Sequence, residues 1–245
     1  MTQPAPLCLL TRPAPESARL AARLGNAFGL KSVLSPLIDI EPVNAAVDFA
    51  GYRGVIVTSS KAAERLAALG APRGMPVFAV GRKTAAVAAR FGFKADAAGG
   101  DAEALISHVE ALRPKGPLLH LRGDHSRGDV ARRLTSAGLP CHEAVIYRQK
   151  ARQLSKEAGA LLAGKNPVIL PLFSPRTAAF FEPNVAPNAP LFPVALSAAV
   201  AAASAHFAGP DQIVIADTPT EDAMIASIGH LSPVRAWLEQ GGMQS

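Results

Sequence analysis

Hydroxyls, glycines and cations recur along this chain where apolar runs stop. Thr11-Arg12 follows LCLL, Thr58-Ser59-Ser60-Lys61 follows VIV, Gly81-Arg82-Lys83-Thr84 follows FAV, and Arg122-Gly123-Asp124 follows LLHL. Tyr147-Arg148 follows AVI, Ser174-Pro175-Arg176 follows ILPLF, and Ser197 follows VAL. At the carboxyl end of a strand, just before a helix, such groups suit a small anion: hydroxyls and free helix N–H groups donate hydrogen bonds, and the cations add charge. Hydroxyls there are equally at home as ordinary helix N-caps. Lys61 and Arg176 are less easily explained, because a cation in the first helical turn opposes the macrodipole. Both stand at the same place in matching stretches, which suggests a carboxylate or phosphate bound between them.

Other chemistries fit less well. Ser59 or Ser60 beside Lys61 has the composition of an activated nucleophile, but no His and acid pair is placed by sequence to complete it. GRKT at 81–84 lacks the upstream glycine of a phosphate-binding loop, and no GxGxxG follows a strand. His120 and His125 lack the spacing and partners of a zinc site, so no metal is expected. The RGD triplets at 122–124 and 127–129 are read as coincidence. Tyr147 is the only tyrosine at a strand end; a packed amphipathic plug and a functional hydroxyl are both open readings.

The bulk composition narrows the classes. The chain has 245 residues, 49% hydrophobic and 18% charged, which is a globular protein able to bury a core. A formal net charge of +6 and a pI near 9.7 point to an anionic partner. The cations are dispersed and aromatics make up only 5%, which argues against a nucleic-acid track and for a small polyanion. Cys8 and Cys141 read as buried free thiols of a reducing compartment. No signal peptide is evident in MTQPAPLCLL. The Ala-rich run 191–208 contains Pro193 and His206 and divides into a strand and a helix instead of a membrane span. These features predict a soluble, cytoplasmic protein with no membrane contact.

The elements that must position these groups are written twice. PVFAVGRKTAAVAARF (76–91) resembles PLFPVALSAAVAAASAHF (190–207), GGDAEALISHV (99–109) lies over TPTEDAMIASI (218–228), and residues 9–38 resemble 118–147. With VIVTSS and VILPLFS as the fourth pair, each unit type occurs twice in the same order, which indicates duplication of one domain. Each unit is an apolar strand, a polar turn and an amphipathic helix, so the expected fold is α/β with two similar parallel-sheet domains. The repeat by itself fits a tandem or a swapped assembly of the copies. The second copy has ALSAA where the first has GRKTA, without the glycine or the cations.

Taken in order, LLTRP, VIVTSS, VGRKTA, GGDAEAL, LRGD, VIYR, FSPRTA and TPTEDAM resemble the uroporphyrinogen-III synthase family over almost the whole chain. The resemblance implies two flavodoxin-like domains built by a swap, with residues 1–38 joined to 149–245 and residues 39–148 inserted. It also implies a two-stranded hinge formed by PLIDIEPV and AVIYRQK. It implies closure of hydroxymethylbilane, a linear tetrapyrrole bearing a carboxylate pair on each ring, with inversion of ring D and loss of water, and no metal or organic cofactor. Tyr147 then matches the family's tyrosine, as acid for the departing hydroxyl. Ser59, Thr84, Ser174 and Ser197 match hydroxyl positions lining its cleft. Ser60, Lys61, Gly81, Arg12, Arg122, Gly123, Arg148 and Arg176 are further candidate substrate contacts. The expected protein is a monomer, in transient contact with the preceding enzyme of the pathway. The alternative is a two-lobed module that binds an anionic metabolite without turning it over.

Overall fold

The computed structural model describes residues 4–44, 46–126, 128–182 and 187–242. Met1-Thr2-Gln3 and Arg127 of the second RGD triplet lie outside them. The chain runs β1 (Leu7–Leu10), α1 (Ala14–Phe28), β2 (Lys31–Leu34), β3 (Ile38–Pro42), β4 (Gly54–Val57), α2 (Ser60–Arg65), β5 (Val77–Ala79), α3 (Arg82–Arg90), β6 (Ala95–Ala97) and α4 (Ala102–Leu112). It continues through β7 (Leu118–Gly123), α5 (Val130–Ser136), β8 (Cys141–Ala151), α6 (Lys156–Ala163), β9 (Val168–Leu172), α7 (Pro175–Ala179), β10 (Leu191–Ala195) and α8 (Ala198–Ala202). A 3₁₀ turn then precedes β11 (Val214–Ile215), α9 (Glu221–Gly229) and α10 (Ser232–Glu239). No described helix is long and apolar enough to cross a membrane, and the Ala-rich run 191–208 is divided between β10 and α8.

Two compact units result: residues 1–39 with 150–245 (unit 1), and residues 40–149 (unit 2). The chain passes between them twice, within β3 and within β8, which are neighbours in one sheet. Unit 1 holds a five-stranded sheet in the order β11-β10-β9-β1-β2, and its β1–β2, β1–β9, β9–β10 and β10–β11 pairings are all parallel. Counted in chain order this is the doubly wound 2-1-3-4-5 arrangement, with its switch point between β1 and β9. The six-stranded sheet is β3-β8-β7-β4-β5-β6. Without β3 it repeats the same spatial order, entered by the chain at the middle position.

The α/β architecture with two parallel sheets is what the alternating elements predict. Its cause is visible in the strands. All four residues of β4 and all five of β9 are buried, as expected where helices cover both faces of a sheet. Successive residues serve opposite cores. In unit 2, Val55 and Val57 pack with Leu119 and Leu121 against α2 and α3. Ile56 and Leu118 pack against Leu105 and Val109 of α4 and Leu134 of α5. In unit 1, Leu9 meets Leu170, Leu172 and Leu161, while Cys8 and Leu10 meet Leu20, Leu24, Met224 and Ile228.

Helix ends follow local chemistry. Gly29 closes α1 at φ 66°, a left-handed conformation that a β-carbon disfavours. Asp101 caps α4 by accepting from Ala104 N–H, and Thr220 caps α9 by accepting from Ala223 N–H. These are equivalent positions in the two copies.

Candidate active site

The sequence repeat is matched in geometry at the ends of β4 and β9. Ser59 caps α2 at φ −149°, ψ 151°, and Ser174 caps α7 at φ −148°, ψ 146°. Each accepts a backbone N–H at 3.1 Å, from Ala62 and Thr177 respectively. Their second partners differ. Ser174 Oγ lies 2.8 Å from Thr177 Oγ1 within its own helix. Ser59 Oγ lies 2.9 Å from Tyr147 Oη, a residue 88 positions away.

Unit 2 therefore brings three of the sequence candidates together: Ser59, Tyr147 and Gly123. Tyr147 as a residue is 5% exposed and packs in the core with Val57, Leu119 and Leu121. β7 and β8 slip register between Arg122 and Gly123, so Gly123 pairs with Tyr147. A β-carbon on Gly123 would come 2.5 Å from Tyr147 Cε2 and 2.6 Å from Cζ. The glycine is thus a space for the ring, a role its sequence position does not reveal. Asp124 fixes the same corner: its N–H donates to Tyr147 O, and its Oδ1 accepts from the His125 and Gln149 N–H groups. Arg148, the next residue on β8, is exposed.

Beneath the end of β4 runs a second polar chain that sequence reasoning missed. Thr58 Oγ1 lies 3.1 Å from His120 Nε2, and His120 Nδ1 lies 3.3 Å from Glu143 Oε1. Arg122 Nε donates to Glu143 Oε2 at 2.8 Å, and its Nη1 donates to the carbonyls of Gly123 and Asp124. His120 is fully buried. Burial pushes the imidazole below its ordinary value, as does Arg122, against the opposing pull of Glu143. The available signal was a histidine inside an apolar strand, LLHL, which must find partners when buried.

Gly81 caps α3 with no side-chain contact, at φ −168°, ψ 175°. Ser197 caps α8 at φ −162°, ψ 166°. Both are ordinary extended backbone, so the altered ALSAA turn keeps the geometry. What Gly81 does supply is closeness: a β-carbon there would meet Gly100 Cα at 3.1 Å. The Gly81 turn and the Gly99-Gly100 turn border an open cleft of about 540 Å³ at the carboxyl ends of β5 and β6, lined also by Arg82, Ala104 and His108. Thr84 is buried one turn into α3.

The remaining cations are engaged. Lys61 Nζ lies 3.3 Å from Glu64 Oε2, one turn on from Ser60 at the start of α2. The Arg176 guanidinium sits 5.1 Å from the Phe180 ring. Arg12 stacks 3.9 Å over Phe173 and binds Glu221 Oε2 at 2.8 Å, with Arg23 on the other oxygen at 2.9 Å. Burial pushes Glu221 up, but the Arg23 and Arg12 hydrogen bonds outweigh it and hold the carboxyl below its ordinary range. Burial raises the Cys8 and Cys141 thiols to about 12, which makes both inert. Among the described residues no group of three or more His, Cys, Asp or Glu could hold a metal ion.

Two copies of one doubly wound unit, each with hydroxyl caps and helix N-termini at its strand carboxyl ends, define a duplicated α/β protein of the kind that binds small molecules at those ends. The family model for uroporphyrinogen-III synthase HemD matches residues 18–226. The fold is similar to that of the uroporphyrinogen-III synthetase of Helicobacter pylori, with a TM-score of 0.66 and 19% identity over 90% of this chain and 96% of that one. It is also similar to a mutant uroporphyrinogen III synthase of the extremely thermophilic bacterium Thermus thermophilus, with a TM-score of 0.51 and 16% identity over 96% of this chain and 99% of that one. The chain belongs to the uroporphyrinogen-III synthase family, hydro-lyases of tetrapyrrole biosynthesis.

Proposed function

We propose that this chain closes hydroxymethylbilane to uroporphyrinogen III, inverting ring D and releasing water, on the route to haem- and cobalamin-type tetrapyrroles. The observation that carries the reading is the Ser59–Tyr147 pair. Ser59 Oγ accepts the Ala62 N–H and can donate its own proton to Tyr147 Oη. The phenol proton is then directed outward, to the hydroxyl that must leave the substrate. As that bond breaks, negative charge developing on the phenol oxygen is met by the Ser59 O–H and, behind it, the amino end of α2. The product is an azafulvene, which the substituted carbon of ring D attacks to form the spirocycle that fragments and recloses.

The substrate carries a carboxylate pair on every ring, and strand ends of both units supply groups that suit it. From unit 2 these are Ser59, Ser60, Lys61, Gly81, Thr84, Gly123 and Arg148; from unit 1, Ser174, Arg176 and Ser197. Arg12 and Arg122 each already hold a protein carboxylate, so their part would be through the positive potential they add. We read the domains as 1–38 with 149–245 and 39–148, a reading supported by the two compact units and by the pairing of β1 with β9. Unassisted closure gives the uninverted isomer and competes for the substrate. A cytoplasmic monomer receiving it in a transient contact with the preceding enzyme therefore suits the chemistry. No metal or organic cofactor is needed for these steps.

The test is an isomer assay. Purified protein given freshly made hydroxymethylbilane yields the type III product, and Tyr147→Phe lowers kcat more than it raises KM. Formation of the type I product alone would overturn the reading.

A further inference from the structure

Ring closure with net loss of water needs two proton transfers. One proton goes in, to the departing hydroxyl. One must come out, from the unsubstituted α-carbon of ring D once it has bonded, so that the pyrrole regains its aromatic sextet. At the end of β4 the consecutive residues Thr58 and Ser59, with Cα atoms about 3.8 Å apart, carry hydroxyls wired in opposite senses. Ser59 Oγ accepts an amide N–H and lies 2.9 Å from the phenol oxygen, to which it can donate. Thr58 Oγ1 faces an imidazole nitrogen, and a carboxylate stands behind that imidazole.

We propose that Thr58 is the proton acceptor of the closing step, with His120 and Glu143 as the positioning residues that make its hydroxyl basic. The inference rests on the cyclase reading above. With Nδ1–H donating to Glu143, His120 Nε2 accepts the Thr58 proton. The breaking C–H bond leaves its electron pair to the pyrrole and its proton on Thr58 Oγ1, while the former Thr58 proton moves to His120 Nε2. The imidazolium is faced by Glu143, which Arg122 holds in place, and the proton returns through Thr58 to solvent after product leaves.

The surroundings of His120 favour a base that is neutral at rest. The charged groups facing it are Glu143 from β8 and Arg122 from β7; Thr58 is its neighbour from β4, and Cys141 of β8 remains a neutral thiol. Around it Ile56, Leu118, Val130 and Leu134 form an apolar core without a titratable side chain. His120 is fully buried, whereas Thr58 is only half-buried. Thr58 stands at the carboxyl end of β4, next to Ser59 and its phenol contact, whereas the exposed Glu143 at the other end of the chain is engaged by Arg122.

Thr58→Val keeps the shape and deletes the hydroxyl. In the type III isomer assay its kcat is expected to fall about 10²-fold with KM within about twofold, and Thr58→Ser to recover most of the rate. With substrate deuterated at the ring-D α-carbon, the isotope effect on kcat grows in Thr58→Val. Glu143→Gln, which removes charge but keeps shape, moves the acid limb of kcat to lower pH by about one unit. Type III formation by the wild type, with kcat, isotope effect and acid limb all unchanged in both variants, overturns the relay alone. If the wild type forms only the type I isomer, the cyclase reading fails and the relay falls with it.

Discussion

Gly123→Ala isolates the geometry of the phenol. The new methyl would lie 2.5 Å from Tyr147 Cε2, 2.6 Å from Cζ and 2.9 Å from Oη, where ordinary contact begins at 3.4 Å. The ring must retreat by roughly 0.9 Å, since the methyl is fixed to the paired β7 backbone. A shift of that size away from Ser59 stretches the 2.9 Å contact to as much as about 3.8 Å, which is no longer a hydrogen bond. Overpacking costs about 1–3 kcal/mol, and the lost buried hydrogen bond about 1 kcal/mol more. A displacement near 1 Å at a reacting group costs about 10²-fold in rate. The assay is kcat for type III formation in a double-mutant cycle with Tyr147→Phe. Gly123→Ala should lower kcat about as far as Tyr147→Phe, and the double variant should be no slower than Tyr147→Phe. A Gly123→Ala protein with wild-type kcat and melting temperature would refute the reasoning.

Three further perturbations have definite outcomes. Ser59→Ala and Ser174→Ala each lose an equivalent cap worth about 1 kcal/mol, so their melting temperatures should fall alike, while kcat falls further in Ser59→Ala because only Ser59 also holds the phenol. Glu221 is held below its ordinary range, so its contribution to stability is complete above about pH 4.3 and lost as pH falls below that; Glu221→Gln should melt lower than wild type at pH 7, and the gap should narrow steadily in acid. Cys8 and Cys141 are buried with thiols pushed up to about 12, so the native protein at pH 8 should react with iodoacetamide only after unfolding, as mass spectrometry would show.

The duplication made the fold legible, because strand, turn and helix types recur in one order and the inner strands β1, β4 and β9 read as continuous apolar runs. How the copies are assembled was not, since a repeat in this order fits tandem or exchanged halves equally, and the pairing of β1 with β9 is a long-range contact that no local pattern announces. VILPLF also argues against a central strand, because proline cannot complete a ladder. β9 is central nonetheless, with its pairing to β1 confined to Val168 and Ile169, ahead of Pro171. At the site, Ser59 and Tyr147 are readable as strand-end groups, but their hydrogen bond depends on a register slip in β8 that no local pattern announces. Arg12 and Arg122 read as available clamps because their carboxylates, Glu221 and Glu143, come from other elements. His120 has no partner in its own stretch of sequence, and its partners emerge only when β4, β7 and β8 lie side by side.

The place of β1 has a consequence for how the chain is made. β1 and β2 leave the ribosome well before β9, yet a two-stranded pair is not stable alone, and the core that Leu9 joins is supplied by Leu161, Leu170 and Leu172. At roughly 5–20 residues per second, these first strands wait on the order of ten seconds for β9. Meanwhile residues 40–149 emerge as one continuous stretch that can complete its own sheet. A nascent chain stopped before Val168 would therefore carry a finished middle and an unfolded beginning, and loss of the C-terminal segment would be felt first at the N-terminus.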